Sequence, residues 1–183
     1  MLLLFLAACG SGALAGTDLQ KTPAADFTLT DGPTGDVVTL SALRGKVVVL
    51  TFLYTNCPDV CPLTAEKLRD ARDRLGGGAS DLALIAVSVD PRNDTPQATS
   101  EFIRAHGLQG AMRFLVGDQA SLARVWQVYG IAALPEQGPV VEHNDAIYLI
   151  DKQGRARSLV HSDIVVDALV SSLRVLLGES RLF

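Results

Sequence analysis

Two runs fix most of what this chain can become: "KVVVLTFLY" at 46–54 and "LALIAVSVD" at 82–90. Each is almost wholly apolar, rich in β-branched and aromatic residues, and lacks alternation with polar ones. A strand of that kind is buried on both faces, as in the middle of a parallel or mixed sheet. Between them, from Pro62 onward, Leu63, Leu68, Ala71 and Leu75 recur near helical spacing. Glu66, Lys67, Arg69 and Asp70 take other positions, and Gly76-Gly77-Gly78 ends the pattern. Strand, helix, strand in that order predicts a right-handed crossover and a sheet covered by helices.

The alternation continues downstream. In "PRNDTPQATSEFIRAHGL", Asp94 or Thr95 can cap a helix and Pro96 suits its first position. "MRFLVGD" reads as a short strand. "QASLARVWQVYGI" reads as a helix whose Leu122, Val125, Trp126 and Tyr129 belong to the core. Residues 146–151 and 155–160 form a hairpin about a turn at 152–154, and 164–177 a final amphipathic helix. Upstream, "DFTLT" and "DVVTL" flank a turn signal at 31–35 and predict an N-terminal β-hairpin. The predicted class is α/β. A C-terminal hairpin followed by a helix is how the thioredoxin fold finishes, so the expected architecture is thioredoxin-like, a central mixed sheet flanked by helices.

A chain of 183 residues, 48% hydrophobic, suits one domain with a core that needs no covalent staple. Its net charge of -4, with charged residues spread along the chain, argues against nucleic acid as a partner, which would require a concentrated basic surface. The first sixteen residues, "MLLLFLAACGSGALAG", are apolar and then small, without charge. Leu2 to Leu6 read as the apolar part of a secretion signal. Leu6-Ala7-Ala8-Cys9 resembles the lipobox of bacterial lipoproteins, in which the cysteine becomes the lipidated first residue. The expected organisation is a lipoprotein-type signal at 1–8, a tether at 9–25 and a folded domain at 26–183. The domain is then extracytoplasmic, held by lipid on Cys9 at the outer face of the cytoplasmic membrane.

With Cys9 reserved for the anchor, the chain's two other cysteines lie close together in "TNCPDVCP". Cys57 follows a buried strand and Cys61 falls in the first turn of a helix. Four-residue spacing lets both sulfurs point to one spot, and the helix N-terminus favours thiolate, so both thiols are expected to be acidic. Such a pair can be a structural disulfide, a redox couple or two ligands for a soft metal. A local disulfide loop gains little stability in a domain of this size. For a metal, the best third ligand is His143 in "VVEHNDAIYLID", which a thioredoxin-like topology would bring near the sulfurs. Two thiolates and an imidazole suit copper(I), and copper(II) could recruit an oxygen ligand, with Asp90 of "SVDP" a plausible nearby carboxylate. His106 and His161 have no such context, and Asp94 reads as a helix cap before a ligand.

"TNCPDVCP", "SVDPRNDTP" and "HNDAIYLID", in that order, resemble the motifs of the Sco/SenC family of copper-binding thioredoxin-like proteins. The resemblance runs from about Asp26 to the final helix. It implies copper bound by Cys57, Cys61 and His143, with a supporting role for Asp90. It further implies assistance in assembling the CuA centre of cytochrome c oxidase, as a metallochaperone or by reducing that centre's cysteines. The partners implied are the oxidase subunit carrying CuA, a copper donor protein, a thiol reductant and the membrane. Competing readings are a metal-free thiol-disulfide oxidoreductase or thiol peroxidase, in which Cys57 and Cys61 are the redox-active pair, and a copper-responsive signalling protein with the same ligands.

Overall fold

The structure, a computed structural model, describes residues 12–134 and 141–179. The expected signal at 1–8 and Cys9 lie outside the described residues.

The first apolar run forms β4, with β1 (Thr17–Pro23), β2 (Thr28–Asp31) and β3 (Val37–Thr39) preceding it. β4 spans Val47–Leu53, and every one of its residues is buried. α1 (Val60–Leu75) crosses to β5 (Leu82–Ser88), which pairs with β4 in parallel from Val47↔Leu82 to Leu53↔Ser88. α2 (Pro96–Ala105) crosses in turn to β6 (Met112–Val116), parallel to β5. After α3 (Gln119–Val128) come two short strands, β7 (Ala133–Leu134) and β8 (Glu142–His143), paired with one another outside the main sheet. The predicted C-terminal hairpin is β9 (Ile147–Ile150) and β10 (Arg155–Val160), and α4 (Val166–Gly178) ends the fold.

The main sheet has strand order β1-β10-β9-β4-β5-β6-β2-β3. It is mixed: β4, β5 and β6 are parallel, while β9 meets β4 antiparallel and the predicted N-terminal hairpin β2–β3 meets β6 antiparallel. Successive right-handed crossovers in one direction keep α1 and α2 on one face. There α1 packs against α4, and Arg69 Nη1 of α1 donates to the His106 carbonyl at the end of α2. Beyond α3, Tyr129 packs its ring on Phe52 of β4 and Tyr148 of β9, with centroids 5.8 and 5.1 Å apart.

Three boundaries differ from expectation. α1 begins at Val60 rather than Pro62, because a proline in the first turn lacks only an N–H that would have no helical partner there. The final helix begins at Val166, two residues after the predicted start. Within the stretch expected as a tether, 9–25, Thr17–Pro23 is instead a strand lying along β10 with Thr17↔Leu159 and Pro23↔Arg155 in register. The preceding residues are docked too: Ala15 N–H donates to Ser172 Oγ of α4 at 3.0 Å, and Ser158 Oγ donates to the Ala15 carbonyl. Gly16 adopts φ +87, and a Cβ there would stand 2.3 Å from the Leu159 carbonyl oxygen.

Candidate functional site

The cysteine loop emerges where β4 ends, at the carboxyl edge of the parallel strands, the place where open α/β sheets present their ligand sites. Neighbouring ends are tied together, with Val89 N–H donating to the Leu53 carbonyl at 3.0 Å. Cys57 lies in the loop, half-buried, and Cys61 lies in the first turn of α1 with no exposed surface. Both are free thiols. They converge by a route other than a shared helix face, because Cys57 precedes the helix. Its sulfur accepts the Cys61 N–H at 3.3 Å and so does the work of a cap, while Asp59, at the capping position, makes no side-chain cap bond.

The two thiols are not equally acidic, which corrects the expectation for the pair. The Cys57 sulfur collects donors: the Cys61 thiol first, then the N–H groups of Asp59 and Cys61 and the Tyr54 hydroxyl. Against the cost of its burial these bring it from 9.0 down to about 5. Cys61 moves the other way, because it spends its proton on Cys57 and is itself buried. One acidic thiol beside one reluctant thiol follows from the donors gathered on Cys57 and the deeper burial of Cys61.

Tyr54 was not singled out by the sequence, where it is merely the last residue of an apolar run. It is 2% exposed. Its hydroxyl lies near the Cys57 sulfur and the Val141 N–H, and its backbone near the Cys61 sulfur. Burial, then the adjacent Cys57, push its phenol up to about 12. Its ring meets the His143 ring edge-on, centroids 5.9 Å apart at 80°.

His143 thus packs its ring against Tyr54. It is half-buried in β8, pairs in register with Ala133 of β7, and its Nδ1 is 3.0 Å from the Asn144 carbonyl. Asn144 in turn fixes the approach to β7, accepting Ala132 N–H at 2.7 Å and donating to the Gly130 carbonyl at 3.1 Å. Among the described residues no three His, Cys, Asp or Glu side chains converge as a metal-binding group. The structure brings Cys57 and Cys61 together and packs the His143 ring on Tyr54, the residue that ends the strand leading into the cysteine loop.

Asp90 lies two residues past β5 and is 1% exposed. One oxygen accepts Asn93 Nδ2 at 2.7 Å; Oδ1 has no hydrogen-bond partner among the described residues. Asp94 does something the sequence did not suggest. Thr95 is the cap of α2, accepting Ala98 N–H, and this frees Asp94 to turn inward. At 4% exposure it accepts Thr55 N–H and Thr55 Oγ1 at 2.8 Å each, and Ser88 Oγ at 2.5 Å. The carboxylate therefore bolts the start of the cysteine loop to the end of β5. Burial raises its pKa above 3.8 despite those three donors. Trp126 of α3 closes the far side of the same joint, its Nε1 donating to the Ser88 carbonyl at 2.9 Å. His106 ends α2 and His161 bonds the Asp145 carbonyl; neither approaches the sulfurs through any bond described. Outside the loop, Val60 and Leu63 leave apolar surface exposed beside Cys61.

A helix-initiating thiol pair at the carboxyl end of a central parallel strand, with a C-terminal hairpin and helix, defines a thioredoxin-like domain with a sulfur-based site. The SCO1/SenC family profile matches residues 15–178. The chain belongs to that family. It is similar to the SCO1 protein homolog of Bacillus subtilis, 28% identical over 159 residues that make up 85% of this chain and 81% of the relative. Apo Sco1 of Thermus thermophilus superposes with a TM-score of 0.77 at 32% identity, covering 90% of this chain and 97% of that one. Copper-bound ScoI of Bradyrhizobium japonicum gives 0.74 at 30% identity, covering 85% and 99%.

Proposed function

We propose that this chain is a membrane-tethered, extracytoplasmic copper chaperone that takes copper on Cys57, Cys61 and His143 and assists assembly of the CuA centre of cytochrome c oxidase. The observation that carries the reading is the pair of free sulfurs held together at a helix start, one of them with a strongly depressed pKa, beside a histidine one aromatic ring away. Soft thiolate donors select copper(I), and two sulfurs with an imidazole satisfy its low coordination number. A set that is not closed before loading suits a carrier, which must release its cargo, better than a structural site, which is closed. Asp90 Oδ1, without a hydrogen-bond partner among the described residues, would offer the hard oxygen that copper(II) uses. The copper-bound B. japonicum relative supports the cargo. Lipid on Cys9 would supply the tether, and the exposed Val60 and Leu63 a face for the oxidase subunit or copper donor.

The test is anaerobic loading with copper(I), in the parent and in His143→Ala. The expected result is one copper per chain and a loss of affinity of at least tenfold in the variant. Equal binding by parent and variant would remove His143 from the site.

One observation favours a second reading, a thiol-disulfide oxidoreductase. A low-pKa half-exposed cysteine beside a buried, high-pKa one is the arrangement of an attacking and a resolving thiol. A parent that binds no copper yet reduces disulfides rapidly would decide for it.

A further inference from the structure

The cysteine loop and the strand of His143 are both braced from one residue, Ser88 at the end of β5. Its hydroxyl reaches the loop through Asp94, which holds Thr55. Its carbonyl accepts Trp126 Nε1 of α3, and the end of that helix meets the histidine's strand. α3 closes on Gly130, whose φ is +63. There Gly130 N–H donates to the Gln127 carbonyl at 3.2 Å and Ile131 N–H to the Trp126 carbonyl at 2.7 Å. Those bonds fix the backbone that carries the next two polar groups, the Gly130 carbonyl and the Ala132 N–H. Asn144 takes both: Oδ1 accepts from Ala132 at 2.7 Å and Nδ2 donates to Gly130 at 3.1 Å. One partner donates and the other accepts, so the place calls for a side chain that can do both.

His143 directly precedes this amide. Its strand, β8, is two residues long and pairs, among the described residues, with the two of β7 outside the main sheet. A two-stranded ribbon that short has little stability of its own. The imidazole Nδ1 lies 3.0 Å from the Asn144 carbonyl. Side chain and main chain of Asn144 thus fasten the ribbon and the ring to the end of α3.

We propose that Asn144 is the positioning residue of His143: its amide pins the β7–β8 ribbon to the end of α3 and so presets the imidazole for copper. The copper step rests on the chaperone reading; the placement of the histidine does not. A ligand in place only part of the time weakens binding by that fraction. The clasp removes this cost before metal arrives.

Asn144→Ala removes both side-chain bonds and keeps the backbone. The side chain is exposed, so the fold is expected to persist, which circular dichroism checks. In the metal-free chain, NMR reads the His143 ring, which stands edge-on to Tyr54 with centroids 5.9 Å apart. The cross-relaxation between the two rings is expected to fade, and the His143 ring signals to move toward those of a free histidine. With copper(I), affinity is expected to fall about tenfold, the size of change that the partners orienting a metal ligand produce. In the His143→Ala chain the same substitution is expected to change nothing, because a residue acting through His143 has no route left.

Equal falls in the two backgrounds overturn the proposal, since Asn144 then acts on something other than the histidine. So does an unmoved ring, or a displaced ring with parental copper(I) affinity in a chain where His143→Ala does weaken binding. If His143→Ala binds copper as the parent does, or the parent binds none, the copper reading fails. The ring signals then decide alone whether Asn144 places His143.

Discussion

Replacing Asp94 by alanine should loosen the cysteine loop from the sheet at measurable cost. The carboxylate accepts three hydrogen bonds, two from Thr55 and one from Ser88, and is 4% exposed. Hydrogen bonds to a charged group contribute about 1.5–3 kcal/mol each, and truncation leaves the half-buried Thr55 N–H and the buried Ser88 hydroxyl in want of acceptors. Relief of the carboxylate's own burial, the cause of its raised pKa, offsets part of this. The net expectation is a loss of about 3 kcal/mol. For a domain of this size that corresponds to a fall in Tm of about 6–12 °C. Asp94→Asn keeps an oxygen acceptor for Thr55 and should lose about 1 kcal/mol. Urea unfolding of the reduced, metal-free chain, followed by circular dichroism, measures both. The sign of the pH dependence provides an independent check. Because the folded-state pKa is raised above 3.8, the folded protein holds this proton more tightly than the unfolded chain. On this group's account stability falls as pH rises from 3.8 through the folded value, and is flat above it. Asp94→Asn should lack that fall. An alanine variant within about 1 kcal/mol of the parent, or an asparagine variant as unstable as the alanine one, would refute the bolt.

Two further outcomes follow from the site and its surroundings. Alkylation of the reduced chain with iodoacetamide should modify Cys57 with a rate that rises through about pH 5 and levels off above it, while Cys61 stays unreactive to neutral pH; peptide mass spectrometry assigns the positions. Gly16→Ala should detach the segment ahead of β1, since neither its φ of +87 nor the 2.3 Å approach to the Leu159 carbonyl tolerates a side chain; a cost of about 1–3 kcal/mol and faster amide exchange over 156–160 are expected.

The central architecture was legible because its signals are one-dimensional. The unbroken apolar runs of β4 and β5 can only be central strands, and the hairpin of β9 and β10 carries its own turn. Thr95 and Pro96 announced α2 through local capping chemistry. β1 was invisible for a physical reason: "TDLQKTP" has no buried residue, and it is a strand through backbone pairing with the edge of β10 alone. At the site, the thiol pair was readable from spacing and the helix start, but the split in acidity was not. It arises from which sulfur accepts the proton of the other, a matter of three-dimensional order. Asp94 and Tyr54 were missed likewise. An acidic residue before a helix reads as a cap, and a tyrosine ending a core strand reads as packing; only the partners of Asp94 at 55 and 88 and the His143 ring against Tyr54 distinguish them.

The strand along β10 alters what the proposed anchor at Cys9 would do. Were the segment after it loose down to residue 25, the domain could roam about the membrane on a leash many residues long. Docking begins by Ala15, and a Cβ on Gly12 would already touch Val175 of α4 at 2.9 Å. From Cys9 to Gly12 the chain can extend only about 11 Å. An acyl chain at Cys9 would thus act as a bracket, holding the α4–β10 side toward the bilayer and the cysteine loop at one height above it. The copper acceptor would have to present itself at that height, and geometry set by a single edge strand would become part of partner choice.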